Sequence, residues 1–144
     1  MVALSFTSHS EAETYALAKR LGSSFNNGDV VILTGPLGAG KTVFVKGLAE
    51  GRGISDSAVS SPSFGFVNEY RGDSSLYHFD LYRLKSLDEL YEIGWDEYLQ
   101  RPGVVVVEWG ERAENLLPER HYQIEFGILS EDERQIDLRL VEPS

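Results

Sequence analysis

The run VVILT (Val30 to Thr34) is followed at once by GPLGAGKT (Gly35 to Thr42) and then by VFVKGLAE. A short continuous apolar run reads as a strand covered on both faces, which is how parallel strands are buried in α/β proteins. The segment after Thr42 reads as a helix that ends near Gly51 to Gly53. Strand, glycine-rich loop and helix in that order leave few architectures open. Gly35, Gly40, Lys41 and Thr42 also satisfy G-x-x-x-x-G-K-[ST], the pattern of a phosphate-binding loop. Glycines let successive backbone N–H groups turn inward around an anion, and the helix N-terminus adds free donors and a favourable dipole. On this pattern Gly35, Pro36, Leu37, Gly38, Ala39, Gly40, Lys41, Thr42 and Val43 form the nucleotide-binding segment. Lys41 would reach the β- and γ-phosphates, and the Thr42 hydroxyl would ligate Mg²⁺.

Further along, Gly103 introduces VVVVE, a second buried-type strand that runs out at Glu108. An acidic residue at such a point often just marks a strand reaching solvent. Beside a phosphate loop it becomes the candidate for the Walker-B carboxylate near Mg²⁺, with Glu where Asp is more usual. Residues 10–25 read as an amphipathic helix with Ser10 and Glu13 as a capping box and Leu17, Leu21 and Phe25 on one face. FGFVNEY and LYHFDLY, either side of RGDSS, read as a hairpin, and YQIEFGIL with RQIDLRLVE as a second one. Ser86 and Glu89 suggest another capping box, opening a helix that carries Leu87, Leu90, Tyr91 and Trp95. These parts add up to a single α/β domain over residues 1–144, a mixed, mostly parallel central sheet with antiparallel hairpins, flanked by helices.

Composition narrows the function. The formal net charge is -10, with 13 Lys and Arg against 23 Asp and Glu. Broad contact with a nucleic-acid backbone needs a basic face, so tight nucleic-acid binding by this chain alone is disfavoured, whereas an acidic surface suits a basic protein partner or simple solubility. Phe64, Phe66, Tyr70, Tyr77, Phe79 and Tyr82 alternate on paired strands, a pattern of packing more than of base stacking. There is no cysteine, no signal-like N-terminus and no apolar run long enough to cross a bilayer, so a cytoplasmic protein is expected. No Asp has a glycine three residues later and no NKxD occurs, which disfavours a Ras-type GTPase and leaves ATP as the nucleotide.

Taken together, GPLGAGKT, SSPSFGFVNEY, YHFDLYRL and VVVVEWGER resemble, in order and spacing, the bacterial tRNA threonylcarbamoyladenosine biosynthesis ATPases, the TsaE family. The resemblance covers roughly residues 30 to 112 and implies a compact P-loop NTPase-like fold. It implies a Mg²⁺-dependent ATPase, using ATP/ADP, that keeps a tRNA-modifying complex turning over. The implied partners are the two proteins of a TsaB–TsaD-like carbamoyltransferase heterodimer, with tRNA met only through that complex and no membrane involved. By position, Lys41 resembles the phosphate lysine, Thr42 and Glu108 the Mg²⁺ ligands, and Asp80 the acidic residue needed for hydrolysis. Trp109 follows the metal carboxylate as in the family and is a candidate partner- or nucleotide-facing residue. Ser61 and Ser63 lie in a switch-like loop, with Ser63 where the family pattern is commonly Thr.

The residues themselves add to this. Strand alternation in LYHFDLY puts His78, Asp80 and Tyr82 on one face, so Asp80 can orient an attacking water, while His78 reads as a structural neighbour. Arg83, Arg112 and Arg134 are candidates for an arginine finger, but no local pattern selects one, and a partner can supply the group instead. A small-molecule kinase and a nucleotide-sensing adaptor with incidental hydrolysis remain open alternatives.

Overall fold

Three parallel strand pairings carry the centre of the fold. The computed structural model describes residues 3–36, 38–54, 66–72 and 74–143. In chain order these form β1 (Ala3–Ser8), α1 (Glu11–Ser24), β2 (Val30–Thr34), α2 (Lys41–Gly51), β3 (Val67–Tyr70), β4 (Leu76–Asp80), α3 (Asp88–Glu92), α4 (Trp95–Gln100), β5 (Val104–Glu108), β6 (His121–Ile128) and β7 (Arg134–Val141). Short 3-10 turns occupy Leu81–Arg83 and Gly110–Leu116. All seven strands join one sheet in the order β1-β7-β6-β2-β5-β4-β3. Strands β6, β2, β5 and β4 run parallel, while β1–β7, β6–β7 and β3–β4 pair antiparallel. Both sequence-predicted hairpins are therefore present at the sheet margins.

The β-branched runs sit where both faces are covered. Val31, Leu33, Val104 and Val106 point to one side and pack with Leu17, Ala18, Phe44, Val45 and Leu48 of α1 and α2. Val30, Ile32, Val105 and Val107 point to the other and meet Phe79, Leu90, Trp95 and Tyr98. There Phe79 packs edge-on against Trp95 and Tyr98, with ring centroids 5.0 and 5.1 Å apart. Of the six aromatics read as packing, Phe66, Tyr77 and Phe79 are buried and Tyr70 is half-buried, whereas Tyr82 is exposed and Phe64 lies outside the described residues.

Three local expectations change. The helix predicted after Ser86 is two short ones, because Gly94 adopts φ 83 between them. Leu90 and Trp95 are buried but Leu87 and Tyr91 are exposed, so the apolar face is interrupted. Strand β4 stops at Asp80, whose side chain accepts from the Tyr82 N–H and turns the chain into a 3-10 turn. The N-terminal strand β1 was not anticipated; it alternates Leu4 and Phe6 with Ser5 and Thr7, too short a pattern to stand out.

Helices α1 and α2 touch through glycine. A Cβ on Gly47 would lie 2.7 Å from both Ala18 Cβ and Tyr15 O, and one on Gly22 only 2.2 Å from Leu48 O. Alanine is the better helix former by about 1 kcal/mol, yet this contact reverses the sign. Gly47→Ala is expected to destabilise by about 1–3 kcal/mol, read from the urea midpoint.

A second prediction concerns acid. Glu69 on β3 is buried and accepts from Tyr98 Oη at 2.7 Å and from the Arg71 guanidinium at 3.0 Å. Burial pushes its carboxyl up, but the Tyr98 bond, Arg71 and Arg101 outweigh that and hold it below the usual range. A carboxyl lowered on folding stabilises fully above its unfolded pKa, about 4.3, and loses that contribution as pH falls through the folded value. Glu69→Gln should cost about 1 kcal/mol at neutral pH, and the gap in Tm from the parent should narrow below about pH 4.

Candidate functional site

Because β2, β5 and β4 are parallel, their carboxyl ends share one edge of the sheet. Leu33 lies beside Glu108, and Glu108 beside Asp80. In open α/β sheets ligands bind outside this edge. The glycine-rich loop leaves β2 here and delivers the chain to α2. It turns through positive φ at Gly35 (142), Gly38 (82) and Gly40 (100). Gly40 caps α2 with no side-chain hydrogen bond, and the first turn of the helix contains no acidic residue. The backbone donors at this helix start are thus not taken up by a capping side chain, the arrangement that favours an anion.

Lys41 opens α2 and is only 7% exposed. A buried ammonium needs partners, and it has three kinds. Its Nζ donates to Gly35 O at 2.8 Å, stands 3.8 Å from Glu108 Oε1, and lies 5.3 Å from the centre of the Trp109 ring. Glu108 Oε2 is 2.6 Å from His78 Nε2. Burial pushes the Glu108 carboxyl up, but the His78 bond, with Lys41 adding to it, holds the carboxyl below its ordinary value. Trp109 is at φ 62, rare for a non-glycine residue; it lies just past the end of β5, with its ring 5.0 Å from that of Tyr82.

These groups wall one cleft of about 730 Å³, lined by Glu11, Gly38, Gly40, Lys41, Thr42, Val43, Asp80, Tyr82, Glu108 and Trp109. The volume is within the range of small-ligand sites. A profile for "Threonylcarbamoyl adenosine biosynthesis protein TsaE" matches residues 8–136. The chain belongs to the TsaE family. Its relatives include the tRNA threonylcarbamoyladenosine biosynthesis protein TsaE of Treponema pallidum (strain Nichols), 43% identical over 90% of this chain and 95% of that one. The protein of the same name from Bacillus subtilis (strain 168) is 45% identical over 90% of this chain and 80% of its own. The crystal structure of Bacillus subtilis YdiB superposes with a TM-score of 0.80 at 37% identity, over 99% of this chain and 87% of that one. The fold is the P-loop NTPase-like fold, and the TsaE family works in the biosynthesis of threonylcarbamoyladenosine in tRNA.

In this TsaE-family chain the cleft unites Lys41, Thr42, Asp80, Glu108 and Trp109 from two strand ends and one helix start. Leu37, Ser61 and Ser63 lie outside the described residues, as do the side chains of Arg83 and Arg112. Arg134 does not face the carboxylates. One of its nitrogens donates to Ser130 O, Glu131 O and Glu133 O, and the other to Gly38 O at 3.3 Å. It ties the tip of the β6–β7 hairpin to the glycine-rich loop, a role that no local pattern in the sequence signals. The contact of His78 with Glu108 was equally invisible: alternation gave its face, but the neighbouring strand was unknown.

The loop glycines are not equivalent. A Cβ on Gly35 would meet Phe126 O at 2.7 Å and Phe126 Cβ at 2.9 Å, whereas one on Gly38 meets nothing within 4 Å. Gly38→Ala should cost about 1–2 kcal/mol for its backbone angle alone, and Gly35→Ala about 3 kcal/mol or more, compared by urea unfolding.

Proposed function

We propose that this chain binds and hydrolyses ATP in the cleft, and that its nucleotide state governs docking to, and turnover of, the threonylcarbamoyl-transferase machinery. The observation that carries the reading is the buried Lys41 ammonium at an uncapped helix start, 3.8 Å from the Glu108 carboxylate in a cleft that Asp80 also lines. A cation and free backbone donors suit phosphates, and carboxylates beside them suit a metal and a water.

The donor set fits Mg²⁺. Thr42 hydroxyl and Glu108 carboxylate are hard oxygen donors. Among the described residues no group of three or more His, Cys, Asp or Glu could hold a metal alone. That matches an ion which keeps its waters and leans on substrate phosphates rather than on a protein cage. Bound there, Mg²⁺ would be held by the Thr42 hydroxyl and the Glu108 carboxylate and would neutralise phosphate charge.

The chain's own residues do the rest. Backbone N–H groups from Gly38 to Val43 cradle the phosphates, and Lys41 moves its bonds from Gly35 O to phosphate oxygens. Asp80, fixed at the end of β4 by the Tyr82 N–H, orients the attacking water. Trp109 and Tyr82, their rings 5.0 Å apart, form an aromatic wall of the cleft. The partners are the two proteins of a TsaB–TsaD-like heterodimer, and the net charge of -10 suits basic surfaces on them.

Turnover and binding separate the roles. Lys41→Ala should weaken ATP binding by about 10–100-fold, the loss of one charge-assisted contact of about 1.5–3 kcal/mol. Asp80→Ala should keep ATP affinity and lose about 10²-fold or more in phosphate release, alone and with the reconstituted partners. Unchanged phosphate release in Asp80→Ala refutes its role; phosphate transferred to a metabolite instead of water refutes the ATPase reading.

A further inference from the structure

The two oxygens of Glu108 are held unequally. Oε2 is 2.6 Å from the His78 imidazole, and Oε1 is 3.8 Å from the Lys41 ammonium, which lines the cleft. His78 and Glu108 are only 12% and 13% exposed. A contact of 2.6 Å is at the short limit for N–H···O and belongs to the charge-assisted class. An ionised carboxylate only accepts, so Nε2 is the donor and the imidazole proton points at Glu108.

The reach of this bond follows from the register. His78 is paired across the strands with Val106, and Asp80 with Glu108. The ring therefore leans along the sheet to a carboxylate two residues beyond its own partner, on the same face. Glu108 is the last residue of β5, and nothing in a strand end fixes the rotamers of so long a side chain. A ring rooted in the adjacent, buried part of β4 does fix them. A histidine that only neutralised a buried carboxylate could approach either oxygen; this one takes the oxygen that does not face Lys41.

We infer that His78 is a positioning residue, which holds Glu108 by Oε2 so that Oε1 alone is presented to a Mg²⁺–nucleotide. The inference rests on the proposed role of Glu108 in metal binding. Mg²⁺ demands near-octahedral geometry and tolerates a chelating carboxylate poorly, so a carboxylate limited to one oxygen suits it. Partners of this kind behind a ligand typically carry 10–100-fold in metal affinity.

The test uses the full chain and reads binding, not turnover. Calorimetric titration with ADP is run in EDTA and across a Mg²⁺ series for the parent, His78→Leu, which keeps bulk but no donor, and His78→Gln, whose amide reaches as far as Nε2. Without metal, all three should bind ADP within about threefold of one another. The Mg²⁺ concentration giving half the metal-dependent gain in affinity should rise about 10–100-fold in His78→Leu and return to within about threefold in His78→Gln. A parent-like Mg²⁺ midpoint in His78→Leu overturns the inference, whatever its Tm, since a merely structural histidine moves only Tm. Should His78→Leu fail to fold, His78→Asn, whose amide is too short to reach Glu108, takes its place, and equal midpoints for Asn and Gln overturn the inference. A parent chain that binds no nucleotide overturns the ATPase reading itself; a parent that binds with Mg²⁺ while its variants match it overturns only the role of His78.

Discussion

Backbone pairing between β2, β5 and β4 sets the spacing of the two carboxylates in the cleft and the point from which the glycine-rich loop departs. Leu33, Glu108 and Asp80 stand side by side across three parallel strands. A slip of one residue in β5 would turn Glu108 to the opposite face, among Phe79 and Trp95. The four valines before it are buried on both faces and would tolerate such a slip, so the register is held at the polar end of the strand, where Glu108 would have to enter the apolar layer. The position of the carboxylate is thus set by the cost of burying its charge on the other face.

The same logic explains what the sequence could tell. The glycine-rich loop was readable because its chemistry is local: backbone angles, a helix start and a lysine lie within eight residues. Both hairpins were readable because turn residues separate two apolar runs. The split at Gly94 was not, since one glycine in a helical pattern is tolerated unless packing demands a positive φ there. The partners of His78 and Arg134 were not readable either, because each is set by a non-local contact: Glu108 is 30 residues from His78, and Gly38 is 96 from Arg134. Family resemblance named Asp80 and Glu108 as functional but gave no hint that a histidine stands behind one of them.

Around this frame the site is stiffened from several sides. Glycines let α1 lie directly against the helix that begins with Lys41, so that helix cannot rock without displacing its neighbour's backbone. Gly35 rests against Phe126 of β6, and Arg134 holds Gly38 from the hairpin tip. The loop is therefore braced by a helix that precedes it in the chain and a hairpin that follows it by some hundred residues. Such bracing suits a binding loop whose donors must be aligned before a phosphate arrives.

The pairing of β1 with β7 has a consequence for synthesis. In the sheet residues 3–8 pair with residues 134–139, so β1 gains its strand partner only after β7 has been made. Until the β6–β7 hairpin emerges, one edge of β2 lies bare and Gly35 has no Phe126 behind it. A nascent chain can form the central strands and still have an unsupported loop. Support for the loop then comes with the β6–β7 hairpin rather than with the motif itself, so the shape of the cleft depends on a segment made long after the glycine-rich loop.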